Sequence, residues 1–345
     1  MPAGVFKETY VELMGILRYP IHWAALILGS TVLLALPLLV GPYYTSLATS
    51  LAIFFVGAIG LNLLTGFAGQ ISLAQGALMG VGAYAAVHLA EALHTSIIVA
   101  IPIAALFTAA TSILLGLPSF RLKGYYLAMA SIAAQMILEY VFSIIDPDQY
   151  TSVPEHLKTF GTIQVSIFPT QYYIVLVYAV LASLLAANLG RSAIGRALKA
   201  IGDNDVAAEI VGINVAKTKA VAFGVSGFFA GLAGGLYALT VSGIDWTAFT
   251  LDTSIEYLAI VLVGGPGRIV WGSLLGAALI RTGWSLLETS LSDTLTMLGM
   301  SILASALKYI VLGSIVAVFL VLEPEGLIGV LRRIKEYFRL WPYSY

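Results

Sequence analysis

Long apolar runs alternate with short polar segments along almost the whole chain. Nine runs contain 18 to 22 residues, and a tenth, Ile255–Gly265, contains 11. A helix needs about 20 apolar residues to cross a bilayer, so the short run, with about 16 Å of helix, predicts a half-span or a broken helix. The long runs are Trp23–Val40, Tyr44–Leu64, Ile71–Leu89, Ile97–Leu117, Tyr125–Ile145, Tyr172–Leu189, Ala220–Val241, Ile269–Leu287 and Ser301–Leu322. The pattern predicts an all-α, polytopic helical bundle with about nine or ten membrane segments.

The composition leaves room for little besides these spans. Of the 345 residues, 59% are hydrophobic and 10% are charged, against about 25% charged residues in average globular proteins. Ten spans would use roughly 200 residues, so we expect one transmembrane domain over 1–345. The formal net charge of −1 argues against a nucleic-acid partner, which requires a basic face. The first apolar run is long enough to span and follows a polar segment of mixed charge, so we interpret it as a retained span.

Lys and Arg predict the orientation, because cytoplasmic loops retain basic residues. Two other loops, Asp146–Pro169 and Ser242–Ser254, carry acidic residues with Lys158 as their only base, which predicts that they lie outside. The segments predicted to be cytoplasmic are 1–22, 190–219 and 323–345. The chain is therefore predicted to be a multi-pass membrane protein with both termini in the cytoplasm, provided that the short tenth run counts as a crossing.

Two Gly-rich interruptions occur at matching places between an inward and an outward span. They align on Gly69 and Gly267, 198 residues apart, which suggests a weak parallel internal repeat. Paired Gly-interrupted segments in corresponding halves indicate a transport pathway, whereas two ordinary cytoplasmic turns are the alternative. The residues that we assign to this pathway are Asn62, Gly66, Gly69, Gln70, Ser72, Gln75, Gly264, Gly265 and Gly267.

Three ionisable residues, Glu139, Arg281 and Lys308, lie within the predicted spans. Charges at such depth are costly and usually face the bundle interior. All three fall in the outer half of their predicted helices, where long side chains can also snorkel to the interface. Their role is left open between snorkelling, structural pairing and transport.

The segment 190–219 contains two short amphipathic helices. Ile194, Leu198 and Ile201 recur at i, i+4 and i+7 before Gly202, and a second short helix closes at Gly212. We expect these helices to have no surface of their own chain to bury against, which predicts a partner surface. The alternative is a solvated basic loop that serves topology only.

The sequence lacks the residues that several kinds of chemistry require. The chain contains no Cys, none of its eight Lys follows a Gly as in a phosphate-binding loop, and its four His lack metal-ligand spacing. No Ser/His/Asp signature of nucleophilic catalysis is visible. We therefore expect neither enzyme activity nor a metal site on this chain.

Several motifs in a fixed order carry a resemblance to a known family. They are Leu61–Leu73 with Gly80–Tyr84, Arg121–Ala128, Ile194–Ile201 with Ala207–Asn214, Gly264–Gly267 with Trp271–Gly272, and Pro324–Leu327. Together they resemble the M-type permease subunit of branched-chain amino acid (Liv-type) ABC importers and the related urea permeases. Two residues depart from the family pattern. The family usually has Arg at the position of Glu325, and a charge at the position of Arg281 is not expected.

The resemblance implies an importer in the prokaryotic inner (plasma) membrane. Its expected partners are the lipid bilayer, a second permease subunit in a heterodimer, two ATPase subunits on the cytoplasmic face and an extracytoplasmic substrate-binding protein. This chain would bind no cofactor, since ATP and Mg would bind the ATPase subunits. The resemblance also implies that 190–219 is the loop that couples to the ATPase, with Arg196, Asp203, Ala207, Ala208, Glu209 and Gly212 in its motif.

The substrate is the least determined part of this interpretation. Branched-chain amino acids are implied by the resemblance, but in such systems the soluble binding protein can set the specificity. Urea, short amides, other amino acids and nucleosides therefore stay open. An ion-coupled secondary transporter ranks lower, because such a transporter would need acidic residues at mid-depth. The predicted spans contain few Asp or Glu at that depth.

Overall fold

The computed structural model describes residues 20–120, 122, 124–147, 150–160, 163–164, 169–283, 285, 310, 313–319, 321–323 and 325–340. Lys308 and most of the predicted segment 1–22 lie outside these residues, as does much of the last apolar run. Contacts within the chain separate two compact units, 1–46 and 47–345, which are described individually.

The described elements are helices with four strands of two residues each. The helices are α1 Pro20–Leu39, α2 Pro42–Asn62, α3 Gln75–Ala92, α4 Ile97–Gly116, α5 Tyr125–Ile145, α6 Thr170–Arg191, α7 Ala193–Asp203, α8 Asp205–Ile210, α9 Val215–Thr240, α10 Leu251–Gly264, α11 Ile269–Ala277 and α12 Gly326–Leu340. The strands are β1 Thr151–Ser152, β2 Thr159–Phe160, β3 Ile163–Gln164 and β4 Gly243–Ile244. Short π-helical turns, Leu63–Phe67 and Ala278–Thr282, follow α2 and α11. The all-α prediction is confirmed.

Helix α9 is the centre of the larger unit and packs against both α3 and α4. Its glycines let the backbones approach closely, because a Cβ on Gly82 of α3 would lie only 2.4 Å from the Cα of Gly231. Cβ atoms on Gly227 and Gly231 would contact the α4 residues Ser112 and Thr108. The recurring glycines of this span therefore form a helix-packing surface.

Five helices among the described residues are long and apolar enough to cross a membrane. They are Pro42–Phe67, Ile97–Gly116, Tyr125–Ile145, Thr170–Arg191 and Val215–Thr240. The pair Leu251–Gly264 and Ile269–Thr282, bent by 117° at its break, makes a sixth if it counts as one span. The tenth run is thus part of a broken helix pair, as the short run predicted.

The two loops that were predicted to lie outside bind each other at one end of the bundle. Strands β1 and β4 pair antiparallel, with Thr151 opposite Ile244. The ammonium of Lys158 donates a hydrogen bond to the Val241 carbonyl at 2.6 Å, and burial lowers its pKa below the ordinary value. Helices α7 and α8 precede α9, whereas strand β4 follows it, so α7 and α8 lie at the opposite end of this helix from the paired strands.

Candidate functional site

The first break is the segment 63–74, between α2 and α3. The chain leaves the π-helical turn at Ala68, and Gly69 has a φ of +64°, a conformation that a Cβ atom disfavours. Gln70 donates its backbone N–H to the Leu64 carbonyl at 3.1 Å, and Thr65 Oγ1 donates to the Gln70 carbonyl at 3.2 Å. Hydrogen bonds within the segment thus pair some of the backbone N–H and C=O groups that a continuous helix would otherwise pair.

The second break is the segment 265–268, between α10 and α11. Gly265 and Gly267 have φ values of +121° and +78°, so both use the left-handed region that favours glycine. Arg268 donates its N–H to the Gly265 carbonyl at 3.3 Å. This tight turn reverses the chain, so that α10 and α11 pack against each other.

Asn62 joins the two breaks. Its Oδ1 accepts the Gly267 N–H at 2.9 Å, and its Nδ2 contacts the Arg268 carbonyl at 3.4 Å and Ser273 Oγ at 3.2 Å. The side chain is fully buried. A Cβ on Gly66 would lie 2.1 Å from the Gly267 nitrogen, so the backbones themselves are in contact. The expectation that the two breaks approach each other agrees with this geometry, whereas their role in a pathway stays a prediction, as does the internal repeat.

The polar side chains assigned to the pathway are buried among residues of this chain. Gln75 donates to the Gly57 carbonyl at 2.8 Å and accepts from Ser226 Oγ at 3.2 Å. Ser72 Oγ accepts the Ala74 N–H at 3.4 Å. Gln70 Nε2 donates to the Ala68 carbonyl, while its buried Oε1 has no hydrogen-bond partner within the described part of the chain. In this conformation the first break is therefore closed around its own polar groups.

A buried polar network that the sequence analysis missed surrounds the start of α3. Gln135 Oε1 accepts the Ala77 N–H at 2.9 Å and the Ser254 hydroxyl at 2.8 Å, and its Nε2 donates to the Phe249 carbonyl at 2.7 Å and to Glu139 Oε1 at 2.9 Å. One amide thus links α3, α5 and α10. The available signal was an amide within an apolar run with an acid one turn later.

The predicted coupling loop forms two capped helices. Ser192 Oγ accepts the Gly195 N–H at the start of α7, and Asn204 Oδ1 accepts the N–H groups of Val206 and Ala207 at the start of α8. Gly212, with a φ of +87°, ends the segment. The helices are where the sequence predicted them, although α7 continues one residue beyond Gly202, to Asp203.

The expectation that these helices lack a surface on their own chain is wrong for α7. Leu198 and Ile201 are buried against the rest of the bundle. A Cβ on Gly202 would lie 2.0 Å from the Phe67 carbonyl oxygen, and the Lys199 ammonium is 4.3 Å from the centre of the Phe67 ring. Helix α7 therefore packs directly on the first break.

Helix α8 presents the exposed part of the loop. Val206, Ile210 and Val211 are 61%, 81% and 75% exposed, whereas Ala208 is 3% exposed and packs on its own chain. Close approach of Ala208 to a partner is therefore not possible in this conformation. The other residues of the motif, Arg196, Asp203, Ala207 and Glu209, are exposed as well.

A cleft of about 530 Å³ lies beside α8, between it and the start of α9. Asp205 and Glu209 contribute carboxylates to its lining, and Asp205 Oδ2 is 2.9 Å from the ammonium of the buried Lys219. This ion pair joins α8 to α9, the central helix of the larger unit.

The second break contacts the start of α12 at the same end of the bundle. A Cβ on Gly326 would lie 2.7 Å from the Gly265 nitrogen, and one on Gly265 would lie 2.7 Å from the Glu325 carbonyl oxygen. Both breaks thus lie against segments that the sequence predicted to be cytoplasmic.

The structure gives hydrogen-bond or ion-pair partners for two of the three ionisable residues in the predicted spans. Glu139 accepts from Gln135, and Arg281 pairs with Glu256 at 3.2 Å, whereas Lys308 lies outside the described residues. Glu256 was not singled out from the sequence, because it lies in the short tenth run. Pairing within the chain is thus the arrangement that the structure shows for Arg281.

Comparison with known proteins gives one family. The family described as the branched-chain amino acid transport system permease component matches residues 43–321. The high-affinity branched-chain amino acid transport system permease protein LivM of Salmonella typhimurium is 28% identical over 293 residues, which are 77% of this chain and 68% of that protein, and LivM of Escherichia coli matches to the same extent.

Shorter similarities extend to other permeases. The ribose import permease protein RbsC of Haemophilus influenzae is 39% identical over 93 residues, 25% of this chain and 28% of that protein. The guanosine ABC transporter permease protein NupQ of Bacillus subtilis is 32% identical over 112 residues, 32% of this chain and 34% of that protein. No solved structure matches the chain significantly.

Proposed function

Because the chain belongs to the family of permease components of branched-chain amino acid transport systems, we propose that it forms the translocation pathway of an importer for branched-chain amino acids. Family membership makes it a multi-pass membrane protein and a transport subunit of an ABC importer rather than a catalytic subunit. The proposal adds the substrate, the orientation with both termini in the cytoplasm, and the partners. These are a second permease subunit, two ATPase subunits and an extracytoplasmic binding protein.

One observation supports this proposal above the others: the coupling loop, the first break and the second break form a continuous chain of contacts. Gly202 of α7 packs on the Phe67 backbone, and Asn62 and Gly66 hold the segment that contains Phe67 against Gly267. A displacement of the loop must therefore move both breaks, or separate one from the other.

The mechanism follows from this arrangement. The ATPase subunits bind the exposed apolar face of α8, and ATP-driven closure shifts α8 together with α7. Because α7 packs on the first break, the shift strains the contact between the breaks and opens the cytoplasmic side of the pathway. The binding protein delivers the substrate at the end of the bundle opposite to α7 and α8, where strands β1 and β4 pair.

Substrates of other related permeases, such as ribose and guanosine, are the alternatives. The relatives named for ribose and guanosine match only about a quarter to a third of this chain, so they support these substrates less than the long match to LivM supports amino acids. An ion-coupled secondary transporter is the less well supported class, because the family match over residues 43–321 is to a permease component of a transport system of the ABC type.

The test is purification of the tagged chain from its native membrane, identification of the copurifying subunits, and uptake assays with the reconstituted assembly. We expect an ATPase to copurify and radiolabelled L-leucine to accumulate in an ATP-dependent manner. ATP-dependent uptake of urea or ribose but not leucine would retain the transporter class and overturn the substrate. ATP-independent uptake driven by an ion gradient would overturn the class.

A further inference from the structure

One ion pair lies deep within the membrane-spanning part of the chain. Arg281 is in the π-helical turn that continues α11, 12 residues beyond Ile269, or about 18 Å of helix from the second break. Helix α9 extends about 39 Å through the same bundle. With a hydrocarbon core of about 30 Å, this distance puts Arg281 and its partner Glu256 within the apolar part of the membrane, away from the end of the bundle that holds the breaks.

The Arg281 side chain is held in place by neighbouring helices. Its Nη1 donates to Glu256 Oε1 at 3.2 Å and its Nε donates to Ser50 Oγ at 3.1 Å. The guanidinium carbon lies 4.2 Å from the centre of the Phe54 ring, which stacks on Tyr257. These contacts direct the guanidinium into the bundle, so it does not snorkel to the interface.

The pair is not fully enclosed. The Glu256 side chain is 8% exposed, but that of Arg281 is 30% exposed on the surface of this single chain. A guanidinium at this depth is too costly to face hydrocarbon. Its exposed side therefore faces protein or water rather than lipid.

Stability alone does not account for such a pair. Two desolvated charges commonly stabilise a fold no more than well-packed apolar residues of similar volume do. Charged groups in transmembrane segments are instead typical of substrate and ion pathways. A π-helical turn at Arg281 adds to this, because such turns are frequent at functional sites.

We infer that Arg281 and Glu256 form an intramembrane site for the zwitterionic backbone of an α-amino acid. The inference rests on the proposed function and assigns residues to it. The guanidinium binds the substrate carboxylate, for which its planar fork of donors is suited, and the Glu256 carboxylate binds the substrate ammonium. In the closed conformation the two side chains neutralise each other.

This arrangement selects zwitterions over simple ions. An α-amino acid that separates the pair supplies one charge of each sign, so both side chains regain a partner. A lone cation or anion satisfies one side chain and leaves the other charged, desolvated and unpaired, which is strongly unfavourable. The same pair therefore admits the substrate and opposes a leak of small ions.

The experiment uses the assembled transporter in proteoliposomes, with its ATPase and binding protein, and radiolabelled L-leucine. The decisive variant is Glu256→Gln combined with Arg281→Gln, since two amides can still bond each other without charge. We expect this double variant to assemble with its ATPase subunits and to lose leucine uptake by about tenfold or more. The charge-swapped variant, Glu256→Arg with Arg281→Glu, is expected to assemble and to transport equally poorly, because it presents the charges in reverse.

A matched control is the Glu325–Arg332 ion pair of 3.1 Å, whose side chains are 59% and 40% exposed. Replacing Arg332 alone by Gln removes this pair and should leave uptake unchanged, because exposed pairs contribute little. Uptake within about twofold of wild type in the double-Gln or the charge-swapped variant would overturn the inference. Loss of assembly in both would also overturn it, since the pair would then be structural. Absence of leucine uptake by the wild-type assembly would instead overturn the proposed substrate.

Discussion

The side-chain oxygen of Asn62 accepts the backbone N–H of Gly267 at 2.9 Å, across 205 residues of sequence. This hydrogen bond connects the end of one membrane-spanning helix to the turn of a broken helix pair. Asn62 is fully buried and Gly267 is partly buried, and an unpaired N–H in such surroundings is costly. The two breaks are therefore structurally linked, and a change in the conformation of either one affects the other.

Replacing Asn62 by Leu, of similar size, should impair transport. The substitution leaves the Gly267 N–H without its acceptor, at a cost of about 1–3 kcal/mol, and we expect leucine uptake to fall by roughly tenfold with a lower melting temperature. Uptake in proteoliposomes and thermal unfolding of the purified chain are the measurements. Asn188, exposed on α6, supplies the control Asn188→Leu. Equal uptake by both variants would show that the contact between the breaks is dispensable.

The positions of the breaks were predictable from the sequence, whereas the residues that join them were only partly so. Gly69 and Gly267 interrupt apolar runs, and such an interruption is visible locally. The contact through Asn62 and Gly66 links distant segments, and no periodicity in one sequence reports which distant backbones meet. Asn62 was assigned to the pathway from its place beside the first break, without its partner.

The coupling loop shows a second limit of sequence reasoning. The apolar stripe of Leu198 and Ile201 predicted helix α7 correctly, because the amphipathic period is local. The stripe could not indicate whether its partner is another protein or the same chain, and the structure buries it in the core of its own chain. Gln135 was missed for a related reason, since a single amide in an apolar helix acquires meaning only through the three helices around it.

Replacing Gly66 by Ala should disrupt the same contact by steric means. The new Cβ would lie 2.1 Å from the Gly267 nitrogen and 2.8 Å from its Cα, and backbone atoms cannot rotate away as a flexible side chain can. We expect loss of uptake and a lower melting temperature. The control is Gly29→Ala in α1, where no atom of the described residues lies within 4 Å of the new Cβ. Normal uptake by Gly66→Ala would mean that the breaks separate without consequence.

Single cysteines in this Cys-free chain test the orientation. Lys158 is a poor site, because it is buried and bonded to Val241, so Glu155, exposed in the same loop, is preferred. We expect a membrane-impermeant maleimide to label Glu155→Cys in intact cells and Glu209→Cys only after permeabilisation, since the excess of Lys and Arg predicts that the loop 190–219 is cytoplasmic. The reverse labelling pattern would invert the topology.

The exposed face of α8 should bind the ATPase subunits. Ile210 is 81% exposed, so Ile210→Asp should leave folding and insertion intact while placing an unpaired charge in an apolar contact, at a cost of about 2 kcal/mol or more. The measurement is copurification of the ATPase with the tagged chain. Ala208→Arg is unsuitable, because Ala208 is buried in its own chain and its replacement would destabilise the subunit itself. Retention of the ATPase by Ile210→Asp would remove this face from the interface.

Replacing Gly202 by Ala should separate binding of the ATPase from transmission of its movement. The new Cβ would lie 2.0 Å from the Phe67 carbonyl oxygen, so α7 must move away from the first break, whereas the exposed face of α8 is unchanged. We expect the variant to retain its ATPase subunits and to hydrolyse ATP, but to accumulate leucine at about a tenth of the wild-type rate or less, because a displaced α7 no longer moves the break. The control is Gly212→Ala in the same loop, where the described part of the chain has no atom within 4 Å of the new Cβ. The positive φ of +87° should cost this variant only about 1 kcal/mol. Hydrolysis and uptake that fall together in Gly202→Ala would show that the loop acts through docking alone, and uptake at the wild-type rate would place the route of coupling elsewhere.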